Sequence, residues 1–460
     1  MKRPSRYSQS PEPDGLPEES GNTLPRRTRR VYIRRRVVVI VAASLALVLG
    51  GTAAFAFAFF NDISNSINRS DFTLPGNEKG EDTYPQNTDE TNILVMGLDS
   101  RLDQNGNPLP EEVYQALRAG NEQDGGYNAN VLMFVHIPAG GGKAVGISIP
   151  RDNYVELVGA PMGVTNSKIK EAYGLALNEK LGELQSRTDM TDEEAYQEAR
   201  AAGRQSQIST VSRFLGDVRI DHFIEVTMGG FYRIAEAVAP IQVCLNQATE
   251  DIYSGADFPA GIQDISAEQA ISFVRQRRDT GNAEIEFTDF DRTRRQQAFL
   301  VSLGLKLKDK GTLSDLGTLR SLIDVAKEHV ALDSSFDLLS FASVGYNLSS
   351  GNISFVTLPI VEFGTINGSS VNIVDLQEIH STVAALLNPE TSGATATPDA
   401  PDGADPGDSV DSDESTDKKD NREQGPSAPP SANDGPSDNG PTVYETWETP
   451  LNAGSVPCVK

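Results

Sequence analysis

Residues 91–101 read TNILVMGLDSR. The run 93–98 is short and apolar, long enough for a buried strand, and it ends in Gly97-Leu98-Asp99-Ser100-Arg101. Residues 131–152, VLMFVHIPAGGGKAVGISIPRD, repeat the pattern. Apolar runs at 131–137 and 144–149 flank a Pro/Gly turn and read as a β-hairpin, whose second strand ends in Pro150-Arg151-Asp152. The turn is not a P-loop, because the GxxxxGK[ST] spacing is absent and no helical pattern follows Lys143. Two strands thus finish in an Asp and an Arg each. In open α/β sheets ligands sit beyond the carboxyl ends of strands, so these ends mark a candidate site.

Outward from these runs, helical and strand patterns alternate. A short helix is expected at 111–119 and a helix opening at Lys168. Another runs over 191–215, with Thr191 and Glu194 as a capping box. A strand at 222–228, a helix to 238 and a strand at 241–245 follow. After a Gly/Pro/Asp-rich loop, Ser266 and Gln269 cap a helix that carries Arg275 and Arg277 at its end. A helix at 289–308, helical segments near 313–330 and 335–345, a strand at 353–358 and a helix at 375–387 complete the map. The interleaving predicts an α/β class, a layered α-β-α domain with a central mixed sheet.

Residues 275–297, RQRRDTGNAEIEFTDFDRTRRQQ, concentrate Arg275, Arg277, Arg278, Arg292, Arg294 and Arg295 in a chain of formal charge −25. Asp289, Arg292 and Gln296 stand at i, i+3 and i+7, one face of a helix. Converging guanidinium forks suit a pyrophosphate. The competing reading is a solvated surface where the arginines pair with Asp279, Glu284, Glu286, Asp289 and Asp291.

Topology constrains both readings. Residues 1–36 are polar with a net charge of +6 and read as a disordered basic cytoplasmic segment. Residues 37–60 carry no charge; at about 1.5 Å per residue they span a hydrocarbon core of about 30 Å. The basic N-terminal flank predicts a single-pass type II signal-anchor in the cell membrane, with the following domain extracellular. A cleavable signal peptide, with Ala54-Phe55-Ala56 as cleavage site, is the alternative; its apolar region is ordinarily shorter. Outside the membrane, on an acidic body, the arginines meet no nucleic acid. Residues 61–90 read as an extracellular stalk, 91–388 as the folded domain and 389–442 as a disordered acidic Pro/Ser/Asp tail. Residues 443–460 hold the only tryptophan, Trp447, and are expected to dock. An oxidising compartment admits both a Cys244–Cys458 disulfide and two free or intermolecular thiols.

The four histidines, His136, His222, His329 and His380, form no zinc motif, and no GxSxG elbow occurs. Chemistry is left to Asp, Arg, Lys and a hard cation; Asp99 is an oxygen ligand of the kind Mg²⁺ (or Mn²⁺) accepts beside substrate phosphates.

From about residue 91 to 300 the chain resembles the LytR–CpsA–Psr family of cell-wall phosphotransferases, most closely its actinobacterial members. The motifs are NILVMGLDSR, VLMFVHIPAGGGKAVGISIPRD, KIKEAYG, DHFIEVTMGGFYRIAEAV and AEQAISFVRQRRD…DFDRTRRQQAF, in family order. The resemblance implies transfer of a glycopolymer from a polyprenyl-pyrophosphate carrier to peptidoglycan, or to a surface protein, through a phosphodiester. Carried onto this chain, Asp99 binds Mg²⁺, while Arg151, Arg275, Arg277, Arg292 and Gln296 grip the pyrophosphate. Asp152, Lys168, Asp289 and Arg295 complete or orient the site, Arg101 supports Asp99, and Asp99 or Asp289 serves as base. The chain departs at Asn130, where a second metal-binding Asp is expected; an amide oxygen still contacts a cation, with one negative charge fewer. Hydrolysis of the carrier pyrophosphate is a second reading. A non-catalytic lipid- or glycan-binding regulator is a third, motivated by Asn130 and the acidic tail.

Overall fold

Strand β2 (Thr91–Leu98) realises the first apolar run, and both of its faces are covered. It pairs antiparallel with β3 (Ala129–Ile137) on one side and parallel with β7 (His222–Thr227) on the other. The computed structural model describes residues 66–74, 90–124, 126–282, 286–309, 315–337, 351–388 and 441–460, all in a unit that begins at Ile63. The basic segment 1–36, the apolar run 37–60 and the tail 389–440 lie outside the described residues, as does the helix expected near 335–345 from residue 338 onward. Among the described residues no helix is long and apolar enough to cross a membrane.

The central sheet has eight strands in the order β1-β12-β7-β2-β3-β4-β13-β17. Its remaining members are β1 (Asn68–Ser70), β4 (Ala144–Ser148), β12 (Val330–Asp333), β13 (Ile353–Thr357) and β17 (Leu451–Asn452). Parallel and antiparallel pairs coexist, with β4 parallel to β13 and antiparallel to β3. The sheet is therefore mixed.

Alternation along β2 sends Leu94, Met96 and Leu98 to one face and Ile93 to the other. The first face packs on α2 (Glu171–Leu184), α3 (Asp192–Phe214) and α8 (Leu376–Leu387) through Tyr173, Leu177, Ile208, Val211 and Ile379. The second packs on α1 (Glu111–Leu117), α4 (Met228–Val238), α5 (Ala267–Arg275) and α6 (Asp289–Lys308). Helix α7 (Leu316–His329) runs beside α4 and leads into β12. Thr191/Glu194 and Ser266/Gln269 close the expected capping boxes of α3 and α5, and Thr288/Asp291 form a third on α6. The fold is α/β with helices on both faces.

Several expectations change. Residues 66–74, assigned to the stalk, belong to the domain: β1 pairs parallel with β12, and Ile67 and Leu74 are buried. The helix expected from Lys168 starts at Glu171, because β6 (Asn166–Lys168) pairs with β5 (Tyr154–Glu156). The Gly/Pro/Asp-rich loop holds β9 (Thr249–Asp251), β10 (Ala256–Phe258) and β11 (Gly261–Ile265). Arg277 stands beyond α5, which caps at Gln276. The hairpin β14 (Glu362–Ile366) and β15 (Ser369–Ile373) was not expected.

The 441–460 segment is built into the fold. A second sheet runs β11-β8-β18-β16, where β8 is Ile241–Leu245, β16 is Thr442–Val443 and β18 is Pro457–Val459. Cys458 lies opposite Cys244 in the parallel β18–β8 pair, and the two form a disulfide.

Candidate functional site

The strand ends and the arginine helix meet at one opening. Between the sheet and α4, α5 and α6 lies a cavity of about 380 Å³. Its walls are apolar, with Val131, Met133, Val226, Phe231, Ile271, Phe299 and Leu303 among them. Gly97 also lines it, and an added Cβ there would come within 2.9 Å of Val131. At the mouth stand Asp99, Arg101, Asn130, Arg151, Arg275, Arg277, Arg292 and Gln296. A second cleft, of about 530 Å³, lies between α4 and α7 and holds none of these residues.

Each mouth residue has a local reason for its place. Asp99 and Arg101 follow β2; the Asp99 N–H donates to Asn128 O at 2.9 Å, which ties the strand end to β3. Arg101 donates to the Asp99 carboxylate, to Asp99 O at 3.0 Å and to Ala119 O at 2.8 Å. Arg151 follows β4, and Arg275 ends α5 and donates to Leu117 O. Asp289, Arg292 and Gln296 occupy one face of α6, as their spacing requires.

Asp289 is the hub of the cationic side. Arg292 holds it with two bonds, Nε–H at 2.9 Å and Nη2–H at 2.8 Å. Arg151 Nη2 lies 3.5 Å away and Arg277 Nε 3.4 Å. Burial pushes the Asp289 carboxylate up, but Arg292, Arg151 and Arg277 outweigh it and bring it down to about 2. Arg151 falls to about 10, through burial first and then the neighbouring Arg292 guanidinium. Arg275 is lowered by burial and by Arg101, with Asp99 opposing. Five arginines thus stand at the mouth with the Asp99 carboxylate, and Asp289 pairs with three of them, which leaves an excess of positive charge.

The remaining expected residues divide. Asp152 braces the turn after β4, with Lys170 Nζ at 2.7 Å, Arg151 Nε at 3.6 Å and Lys168 Nζ at 3.8 Å. Lys168 thus meets Asp152 and is not among the residues at the mouth. The sequence reading missed Lys170, which makes the closer contact. Arg295 does not reach the site. It is fully buried on another face of α6, donating to Gln276 Oε1 at 2.7 Å and Lys460 O at 2.8 Å, between the rings of Phe273 and Phe287. Burial lowers it to about 9. Arg294 likewise turns away, donating to Thr446 O at 3.0 Å and to Thr449 O.

A buried cluster behind the sheet was also missed. Arg200, Arg204 and Glu225 are fully buried, with Arg204 Nε–H donating to Glu225 at 2.9 Å and Arg200 also bound to it. Both arginines reach Gln104 Oε1, at 2.7 and 3.2 Å, in the loop that follows Arg101. Burial raises the Glu225 carboxylate, and the two arginines overcome this and bring it to about 2.

The mouth fits one hard cation. Asp99 supplies a carboxylate, and Asn130 Oδ1 is a buried oxygen with no hydrogen-bond partner among the described residues. Mg²⁺ takes such oxygens and keeps several waters. No cluster of three or more His, Cys, Asp or Glu forms among the described residues, so this is a sparse site of the kind that substrate oxygens complete.

An apolar cavity with guanidiniums at its opening has the two kinds of surface that an amphiphile presents, an apolar chain and an anionic head. The LytR_cpsA_psr family model matches residues 58–388, and the chain belongs to that family. The cell wall biosynthesis protein LcpA of Corynebacterium glutamicum is 36% identical over 293 residues, which cover 63% of this chain and 54% of LcpA. The chain thus aligns with about half of that relative's length. The polyisoprenyl-teichoic acid–peptidoglycan teichoic acid transferase TagU of Bacillus cereus is 23% identical over 310 residues, 66% of this chain and 83% of TagU. Among solved structures, a LytR-Csp2A-Psr enzyme from Actinomyces oris aligns at 18% identity with a TM-score of 0.45, covering 70% of this chain and 95% of that one.

Proposed function

We propose that this chain is a membrane-anchored phosphotransferase that moves a glycopolymer from a polyprenyl-pyrophosphate carrier to peptidoglycan. The observation that carries the reading is the joining of the apolar cavity to the arginine mouth, which matches the two halves of such a carrier. The names of LcpA and TagU support a role in the cell wall. The uncharged run 37–60 with its basic flank supports a type II anchor that sets the mouth outside the membrane.

In this reading the prenyl chain enters the cavity and Arg151, Arg275, Arg277, Arg292 and Gln296 hold the pyrophosphate. The acceptor hydroxyl attacks the glycan-bearing phosphorus. A new P–O ester bond forms as the anhydride P–O bond breaks, and polyprenyl monophosphate leaves. The arginines stabilise the charge that spreads over the phosphoryl oxygens. The hydroxyl proton passes to Asp99, which one guanidinium holds where three hold Asp289. Asp289, held at about 2 by three guanidiniums, is a poor proton acceptor, and its part is to space the arginines. Mg²⁺ or Mn²⁺ held by Asp99 and Asn130 would neutralise phosphoryl charge.

The test is to incubate the full chain in detergent with Mg²⁺ and a glycan-linked polyprenyl pyrophosphate, with and without peptidoglycan. The reading requires a phosphodiester-linked product that forms only with acceptor. Glycan phosphate released without acceptor identifies a hydrolase. If neither product forms, and Arg292→Ala leaves wall polymer content unchanged in cells, the chain is a non-catalytic binder.

A further inference from the structure

Three elements bring aromatic side chains together at the first turn of α6, where Asp289 also stands, and the phosphoryl chemistry leaves them without a task. Phe290 follows Asp289 in the first turn of α6 and is buried. Trp447 stacks on it, with ring centroids 4.2 Å apart and planes at 26°. Phe363 of β14 meets the same ring edge-on at 6.1 Å, with 62% of its own surface open. Val361, also exposed, continues the patch two residues earlier.

The hairpin that presents Phe363 is fastened to the site. Phe363 lies opposite Asn372 in the β14–β15 register, and opposed residues of an antiparallel pair share a face. Asn372 donates from its backbone to Asp152 O at 2.8 Å and from its side chain to Asn153 Oδ1 at 3.0 Å. Phe363 is thereby tied to the turn that carries Arg151. On the other side, Arg294 holds the Trp447 loop to α6 through Thr446 O and Thr449 O.

The chemistry of this rim differs from that of the mouth. Glu445 and Glu448 flank Trp447 in sequence and are exposed, so the segment that carries the ring is acidic and repels anionic polymer and anionic lipid. Aromatic faces with carboxylates at their edge suit a pyranose ring, whose C–H face lies on the ring while its hydroxyls donate to the carboxylates. The arginines already account for the anionic donor. The uncharged sugar rings of an acceptor glycan need a different surface.

We propose that Trp447 and Phe363 form a platform for a sugar ring of the acceptor glycan, with Glu445 and Glu448 bonding its hydroxyls. This rests on the transferase reading of the arginine mouth. Trp447 is the chain's only tryptophan, so its emission reports the platform directly. The full chain in detergent is titrated with a soluble N-acetylglucosamine tetramer, and separately with polyprenyl pyrophosphate. The tetramer shifts Trp447 emission saturably, and Phe363→Ala weakens that binding about tenfold while prenyl-pyrophosphate affinity stays unchanged. By calorimetry Trp447→Phe, which keeps a ring on Phe290, also binds the tetramer more weakly. An unmoved emission, equal affinity in Phe363→Ala, or a shift produced by lipid vesicles and not by the tetramer overturns the platform. Saccharide binding with these variant effects, but no transfer to any acceptor, leaves the platform standing and sinks the transferase reading instead.

Discussion

Replacing Asp289 with asparagine removes the carboxylate that Arg151, Arg277 and Arg292 share. The side chain is 14% exposed, so solvent screening is slight. The free protein lowers this carboxylate from 3.8 to about 2. At about 1.4 kcal/mol per pH unit, that difference is worth about 2 kcal/mol of folding stability at neutral pH. For a domain of about 300 residues the loss lowers Tm by roughly 3 °C. Because the folded-state value is depressed, the contribution is complete above the unfolded value near 4 and disappears as pH falls toward 2. The gap between wild type and Asp289→Asn is therefore full at pH 7 and narrows below about pH 5. A pyrophosphate ligand supplies the missing negative charge, so it stabilises the variant by more degrees than the wild type. Thermal unfolding by differential scanning fluorimetry across pH, with and without polyprenyl pyrophosphate, reads all of these terms. A variant that melts within 1 °C of wild type at pH 7, or a gap that does not change with pH, refutes the role of Asp289 as the counterion of the cluster.

Further outcomes follow from the same geometry. Arg292→Ala, which removes a buried fork from the mouth, lowers the transfer rate by about 10²–10³-fold in the reconstituted assay while leaving the far-UV spectrum unchanged. Asn130→Asp restores a negative charge beside Asp99 and tightens Mg²⁺ binding roughly tenfold or more, read as the Mg²⁺ concentration that half-saturates a Tm shift. Glu225→Gln leaves Arg200 and Arg204 buried without a counterion and costs about 3–5 kcal/mol in denaturant unfolding. Changing both Cys244 and Cys458 to serine frees a loop of 214 residues' separation, a loss of up to about 5 kcal/mol by loop-closure entropy; limited proteolysis then cuts within 441–460, which the wild type resists.

The legible parts of the chain were those with a local physical signature. Capping boxes at Thr191 and Ser266 marked the true starts of α3 and α5, and the apolar runs at 93–98, 131–137 and 144–149 fell on β2, β3 and β4. The i, i+3, i+7 spacing put Arg292 and Gln296 on the cavity wall and Asp289 within reach of Arg292. Short strands such as Thr249–Asp251 and the largely exposed β14–β15 pair carry too little periodic burial to separate from loop. At Lys168 the alternation Lys-Ile-Lys serves a strand as well as a helix, and pairing with β5 decides it. Arg295 was grouped with the site because a charge run does not reveal direction, and Arg294 beside it carried no assignment. Their direction is set by residues 441–460, some 150 positions away, which take Arg294 and Arg295 for themselves. Trp447 and Cys458 hinted at that docking, but nothing local named its partner.

The most direct measurement is the affinity of the full chain in detergent for three probes: a polyprenyl pyrophosphate, the matching polyprenyl alcohol, and inorganic pyrophosphate. A cavity and an arginine mouth acting as one site predict tight, saturable binding of the first, and affinities at least a hundredfold weaker for each half alone. Equal binding of the alcohol, or binding of the intact carrier unaffected by Arg292→Ala, would contradict the account.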